Sequence, residues 1–97
     1  MPDFPKRIVE LPKEVHEFTS YKLEAKDCDI YFSELSTETR VSPHSHEVDV
    51  LNFVAEGSLW VSIEGQETEY SVGDWVSIPA NVQHSIRTKS HTRLIEL

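Results

Sequence analysis

Short β-like runs separated by turn residues fill this sequence and leave little room for helix. Residues 29–35 are rich in β-branched and aromatic side chains, and residues 50–55 are nearly continuously apolar, as in a strand covered on both faces. Apolar residues alternate with others over 59–63, and Glu64-Gly65 supplies the turn of a hairpin. This pattern predicts an all-β sandwich or barrel.

The second half of the chain continues the pattern. Gly73-Asp74 forms a turn into a strand over 75–78, which Pro79 ends because proline lacks a backbone donor. Asn81 is suited to a positive φ in the next turn. Two further strands are predicted, from about residue 83 to 88 and from 92 to 97.

The first 25 residues have a weaker pattern than the rest. Residues 8–11 and 15–18 are short apolar stretches that suit either edge strands or an arm laid over a partner subunit. The chain is therefore divided into an N-terminal segment, 1–25, and a barrel, 26–97.

Length and charge exclude several classes of protein. A chain of 97 residues allows one domain, and its 38% hydrophobic content is that of a folded protein. A net charge of −8, with nine scattered Lys and Arg residues, argues against a nucleic-acid partner. No apolar run is long enough for a membrane span or a secretion signal, and Cys28 has no second cysteine to pair with. These features predict a cytoplasmic protein that does not bind membranes.

His44 and His46 are the first candidates for chemistry. On a strand, residues two apart lie on one face, so both imidazoles can approach one metal ion. A His-x-His pair is also common on protein surfaces without any metal, so the pair alone does not distinguish a metal site from two surface residues.

The surrounding residues resemble the two motifs of the cupin superfamily, G-x5-H-x-H-x3-E-x6-G and G-x5-P-x-G-x2-H-x3-N. Together the matching segments span Glu38 to Thr88, about half of the chain. The residues that match are His44, His46 and Gly57 in the first motif, and Gly73, Pro79 and His84 in the second.

This resemblance implies a double-stranded β-helix, the jelly-roll cupin barrel, with one divalent transition metal ion in its mouth. His44 and His46 would bind the ion from one strand and His84 from the neighbouring strand. The ion would be Fe(II), Mn, Ni or Zn.

Four positions depart from the family motifs. The glutamate that is a metal ligand in the family falls on Val50, which cannot bind metal, so the site is expected to contain three histidines. The two missing glycines fall on Glu38 and Asn81, and the closing asparagine falls on Thr88. Asn81 tolerates the backbone geometry of glycine.

Asp49 is the possible fourth ligand. Its odd number places it on the face opposite the histidines in a regular strand, but a β-bulge between His46 and Val50 would turn it inward. The alternative is an exposed, solvated carboxylate.

Asn52 and Trp60 are candidates for substrate binding. Asn52 shares the even-numbered face with the ligands, and Trp60 could wall a pocket. For Trp60 the alternative is packing in the core or at the rim.

The resemblance suggests a small-molecule enzyme, because three-histidine cupins include thiol and diketone dioxygenases. Two alternatives stay open: a metal-dependent binding or sensing module without turnover, and a metal-free cupin whose histidines line a pocket. The small barrel with an apolar central strand also predicts a C2 homodimer.

Overall fold

The computed structural model describes residues 4–97, which form one short helix and ten strands. The helix is α1 (Lys6–Val9). The strands are β1 (Lys13–Val15), β2 (Thr19–Glu24), β3 (Asp29–Leu35), β4 (Arg40–His44), β5 (Val50–Glu56), β6 (Ser58–Ile63), β7 (Gln66–Ser71), β8 (Trp75–Ile78), β9 (His84–Arg87) and β10 (Thr92–Glu96). The predicted strands from residue 29 onward are confirmed, with small differences at their ends.

The strands form two antiparallel sheets. The larger has the order β1-β2-β3-β10-β5-β8, and the smaller has the order β4-β9-β6-β7. The chain crosses repeatedly between the sheets, so β10 at the end of the chain lies between β3 and β5. This is the predicted all-β jelly-roll barrel.

The core lies between the two sheets and follows the alternation of each strand. Buried core side chains come from both sheets, namely Leu35, Val50, Val54, Leu59, Val61, Val76, Ile78 and Leu94. On β5, Val50 and Val54 face inward with Asn52 between them on the same face, and all three are buried. The same alternation on β6 brings the odd-numbered Leu59 and Val61 inward.

Four positions that carry glycine in the family motifs share a left-handed backbone. Gly57 and Gly73 have φ of 77° and 93°, while Glu38 and Asn81, which replace glycine, have φ of 59° and 65°. The predicted positive φ of Asn81 is confirmed. The backbone conformation is thus kept at positions 38 and 81, although the residue has changed.

The N-terminal segment differs in part from one of its two alternatives. Residues 6–9 form a helical turn, so of the two possibilities for residues 8–11 the edge strand is wrong, and an arm over a partner subunit stays a prediction. Residues 16–18 turn between β1 and β2, and these two strands form one edge of the larger sheet. Within residues 4–97 there is no helix long and apolar enough to span a membrane.

Candidate metal centre

A β-bulge in β4 brings His44 to the inside of the barrel. Val41 pairs with Ile86 and His44 pairs with His84, so the register between β4 and β9 shifts by one residue between the two pairs. Val41 is odd-numbered and His44 is even-numbered, yet both line the same interior cavity. The extra residue of the bulge lets one strand contribute both side chains to one face.

His46 reaches the site from the loop after β4. Strand β4 ends at His44, so the prediction that both histidines come from one strand is wrong. The backbone N–H of Asn81 donates to the carbonyl oxygen of His46 at 2.7 Å. This bond ties the loop that carries His46 to the loop that precedes His84.

The three predicted ligands come together. One ring nitrogen from each of His44, His46 and His84 lies within 4.8 Å of the other two. The ring centroids of His44 and His84 are 4.3 Å apart, and those of His46 and His84 are 5.4 Å apart. Metal–nitrogen bonds to histidine are about 2.1 Å long, so this group of nitrogens is a candidate site for one ion once the rings move closer together.

Backbone carbonyls orient two of the imidazoles. The Nδ1–H of His44 donates to the carbonyl oxygen of Ser42 at 2.8 Å, and that of His84 donates to Val82 at 3.0 Å. A carbonyl oxygen can only accept, so the proton lies on Nδ1 and the lone pair lies on Nε2. Metal-binding histidines are generally held in this way.

The surroundings of His84 favour its neutral form. Burial lowers the pKa of His84 below its ordinary value, and His44 and His46 act in the same direction. The hydrogen bond to Val82 and the nearby carboxylate of Glu96 oppose this shift without reversing it. The neutral imidazole is the form that binds a metal ion. The three imidazole donors, the tautomers of His44 and His84 and the neutral form of His84 therefore fit a divalent ion.

Neither Val50 nor Asp49 adds a carboxylate to this group. Val50 is buried in the core. Asp49 is exposed, and its Oδ1 accepts a hydrogen bond from the backbone N–H of Ala80 at 2.8 Å. The strand has its bulge before His44 and not between His46 and Val50, so nothing turns Asp49 toward the three histidines.

A cavity of about 100 Å³ lies beside the histidines, between the two sheets. Its walls are mainly apolar, and its polar residues besides the histidines are Ser33, Asn52 and Glu96. The predicted inward direction of Asn52 is confirmed. Asn52 and Glu96 are directly opposite each other on β5 and β10, and the Nδ2 of Asn52 donates to Oε1 of Glu96 at 3.4 Å.

The sequence did not identify Glu96 as a cavity residue, because the apolar residues of β10 fit either of two opposite inner faces. Leu94 is buried and Ile95 is partly buried, so apolar residues stand on both faces of this strand. Only the position of Leu94 in the core places Glu96, two residues later, on the inner face.

Trp60 does not line the cavity beside the histidines, so of its two alternatives the wall of that pocket is wrong. The inner residues of β6 are odd-numbered, so Trp60 faces outward and pairs with Glu69 and Arg87. The Arg87 guanidinium and the Lys89 ammonium lie 4.6 and 4.4 Å from its ring centre. Even-numbered residues face inward on β5, whereas odd-numbered residues face inward on β6.

Thr88, at the position of the family's closing asparagine, holds the end of β9 against the turn before β4. Its buried hydroxyl donates to the carbonyl oxygen of Ser36 at 2.8 Å and accepts from the N–H of Thr39 at 3.0 Å. Glu38 lies within this turn. Thr88 therefore supports both β9, which begins at His84, and β4, which ends at His44.

Residues 31–97 match the model of the cupin domain family, and the chain belongs to that family. A further match is quercetin 2,3-dioxygenase of Bacillus subtilis, which is 35% identical over 71 residues. These residues are 68% of this chain but 21% of the relative, so the chain spans about a fifth of that protein's length.

Solved structures agree on the fold. An RmlC-like cupin from Shewanella frigidimarina has a TM-score of 0.79 at 18% identity, over 91% of this chain and 82% of its own. KdgF from Halomonas sp. has a TM-score of 0.78 at 18% identity, over 91% and 84% of the two chains. At this level of identity the likeness establishes the cupin barrel and nothing more.

Proposed function

We propose that this cupin binds one divalent transition metal ion through His44, His46 and His84 and acts on a small molecule as a dioxygenase-like enzyme. The observation that carries the proposal is the convergence of three imidazoles on one wall of an interior cavity. The partial match to a quercetin dioxygenase supports the reaction class.

The residues of the chain have separable roles in this proposal. The three imidazoles hold the ion, and the carbonyl oxygens of Ser42 and Val82 keep two of the rings in the required tautomer. The apolar walls exclude water and orient a small substrate. A bound Fe(II) would supply the redox chemistry with oxygen, whereas Zn, Mn or Ni would supply Lewis-acid chemistry.

The cavity limits the size of the substrate. A cavity of about 100 Å³ suits a small molecule. A flavonol is much larger and would have to remain largely outside. We therefore favour small diketones or thiols as substrates over polycyclic ones.

Metal analysis and oxygen uptake test this proposal together. Protein purified without an affinity tag should bind about one Fe(II) per chain after anaerobic reconstitution. It should then consume oxygen with acetylacetone or with a small thiol such as cysteine. The matched control is His84→Ala, which should show neither effect. Failure to bind any divalent transition metal would overturn the proposal.

A binding or sensing module without turnover is the second candidate. The observation that favours it is Val50, which removes the carboxylate that serves the metal in the family. In this case the protein would bind one metal ion per chain, and acetylacetone would bind without any oxygen uptake.

We also propose that two copies of the chain pair through the outer face of the larger sheet. A cross-strand row of Tyr21, Phe32, Ile95, Phe53 and Trp75 crosses this face, and we call it the outer apolar row. Phe4 covers Phe32, but Trp75 at the sheet edge is 55% exposed. Exposed apolar sheet edges are commonly covered by a partner.

Sedimentation at micromolar concentration tests this pairing. The wild type should be a dimer, and Trp75→Lys should shift it to monomer. Val15→Lys, at the opposite edge of the same sheet, should stay dimeric; a monomeric Val15→Lys would instead implicate the N-terminal segment. A monomeric wild type would overturn the proposal. The cytoplasmic location remains a prediction.

A further inference from the structure

Glu96 is the ionisable side chain that shares the interior cavity with the three histidines. It lies on the inner face of β10, while His44 and His84 belong to the facing sheet. The cavity thus has imidazoles on one wall and a carboxylate on the other. Between them the lining is largely apolar, which strengthens electrostatic interactions.

The hydrogen bonds of Glu96 leave much of its accepting capacity unused. Its one side-chain partner within residues 4–97 is Asn52, whose Nδ2 is 3.4 Å from Oε1, at the long end of the range. An ionised carboxylate can accept about four hydrogen bonds. Asn52 also keeps its Oδ1 free to accept, so this wall is dominated by hydrogen-bond acceptors.

We infer that the Glu96 carboxylate, on the cavity wall that faces the three histidines, selects a small neutral substrate bearing a hydroxyl or enol donor. This inference rests on the proposed metal site. Three neutral imidazoles leave an ion at a charge of +2, and the Glu96 carboxylate reduces the net charge of the cavity to +1. The carboxylate would also repel an anionic substrate that the uncompensated ion would attract.

Two probes of opposite character separate this role from a structural one. Hydroxyacetone is neutral and offers a hydroxyl donor, whereas azide is a small anion. Both are small enough for a cavity of about 100 Å³. Their binding is read from the visible spectrum of the Co(II)-loaded protein, which changes when a ligand enters the site, so no turnover is required.

The variant is Glu96→Gln, which keeps the shape and removes the charge. It should bind hydroxyacetone roughly tenfold more weakly, because a charge-assisted hydrogen bond becomes a neutral one. It should bind azide at least about threefold more tightly, because the repulsion is gone. Glu69→Gln, an exposed change on the outer face of β7, should match the wild type with both probes.

The outcomes distinguish this inference from the proposal beneath it. Opposite changes with the two probes support the role of Glu96. Parallel losses, or no change with either probe, overturn that role while the metal site stands. A wild type that takes up no Co(II) overturns the proposed function and the role of Glu96 with it.

Discussion

Val41 and His44 face the same interior cavity although they are three positions apart on one strand and a regular strand would turn them to opposite faces. The register shift against β9 lies between them, and it places His44 directly opposite His84. Because of this one bulge, Val41 packs against the apolar core while His44 points into the same cavity beside the other two histidines.

Asp49 should matter for the loop and not for the metal. Asp49→Ala removes the acceptor for the N–H of Ala80, so the free energy of unfolding should fall by about 0.5–1.5 kcal/mol. Metal affinity, measured by calorimetric titration, should change less than about threefold. A loss of about a hundredfold would instead identify Asp49 as a ligand.

Gly57 should tolerate no side chain. Its φ is 77°, and a Cβ at this position would meet the carbonyl oxygen of His91 and the side chain of Thr92. Gly57→Ala should therefore lower the free energy of unfolding by at least about 2 kcal/mol in urea denaturation. Gly65→Ala is the control, because its φ is also 77° but its Cβ would meet nothing. If both variants lose the same amount, the contact with His91 has no role.

Replacing Glu38 with the glycine of the family motif should stabilise the protein. At a φ of 59° glycine avoids the steric cost of a side chain, which exceeds the entropy that glycine loses on folding. Glu38→Gly should therefore stabilise the protein by about 0.5 kcal/mol in thermal denaturation. Its neighbour Thr37 does not have a positive φ, so Thr37→Gly should destabilise. The same sign in both variants would contradict this account.

Thr88 should stabilise the barrel through its hydroxyl. Thr88→Val keeps the shape but leaves the N–H of Thr39 and the carbonyl oxygen of Ser36 without this partner, at a cost of about 1–3 kcal/mol. The matched change Thr68→Val lies at an exposed position of β7 and should remain within about 0.5 kcal/mol of the wild type. Equal urea midpoints for the two variants would rule out this role.

Much of the fold was predictable because turn residues and alternation mark most of the strands after residue 28. The N-terminal segment was harder, since its short apolar stretches do not show whether residues 8–11 extend or coil. The three ligands were predictable from motif spacing. The sequence did not show that His46 reaches the site from a loop. The end of β4 depends on a bulge, and the position of that bulge is set by the pairing of β4 with β9.

Inner and outer faces were predictable within a strand and not between strands. Asn52 was expected on the even-numbered face of the candidate ligands, and it does face inward, between the buried Val50 and Val54 of the same strand. Trp60 does not wall the cavity because the inner residues of β6 are odd-numbered, and the sequence alone does not show how the inner face of one strand continues into the next. Glu96 was overlooked because Leu94 and Ile95 offer two opposite alternations, and only packing decides between them.

The most direct test of the account is the metal affinity of His84→Ala beside that of Glu47→Ala, measured by titration of the metal-free proteins with Zn(II). His84 is a proposed ligand from the strand that pairs with β4, whereas Glu47 is exposed and outside the group of three histidines. The account predicts a loss of at least about a hundredfold for His84→Ala and almost no loss for Glu47→Ala. Equal losses in the two variants would contradict it.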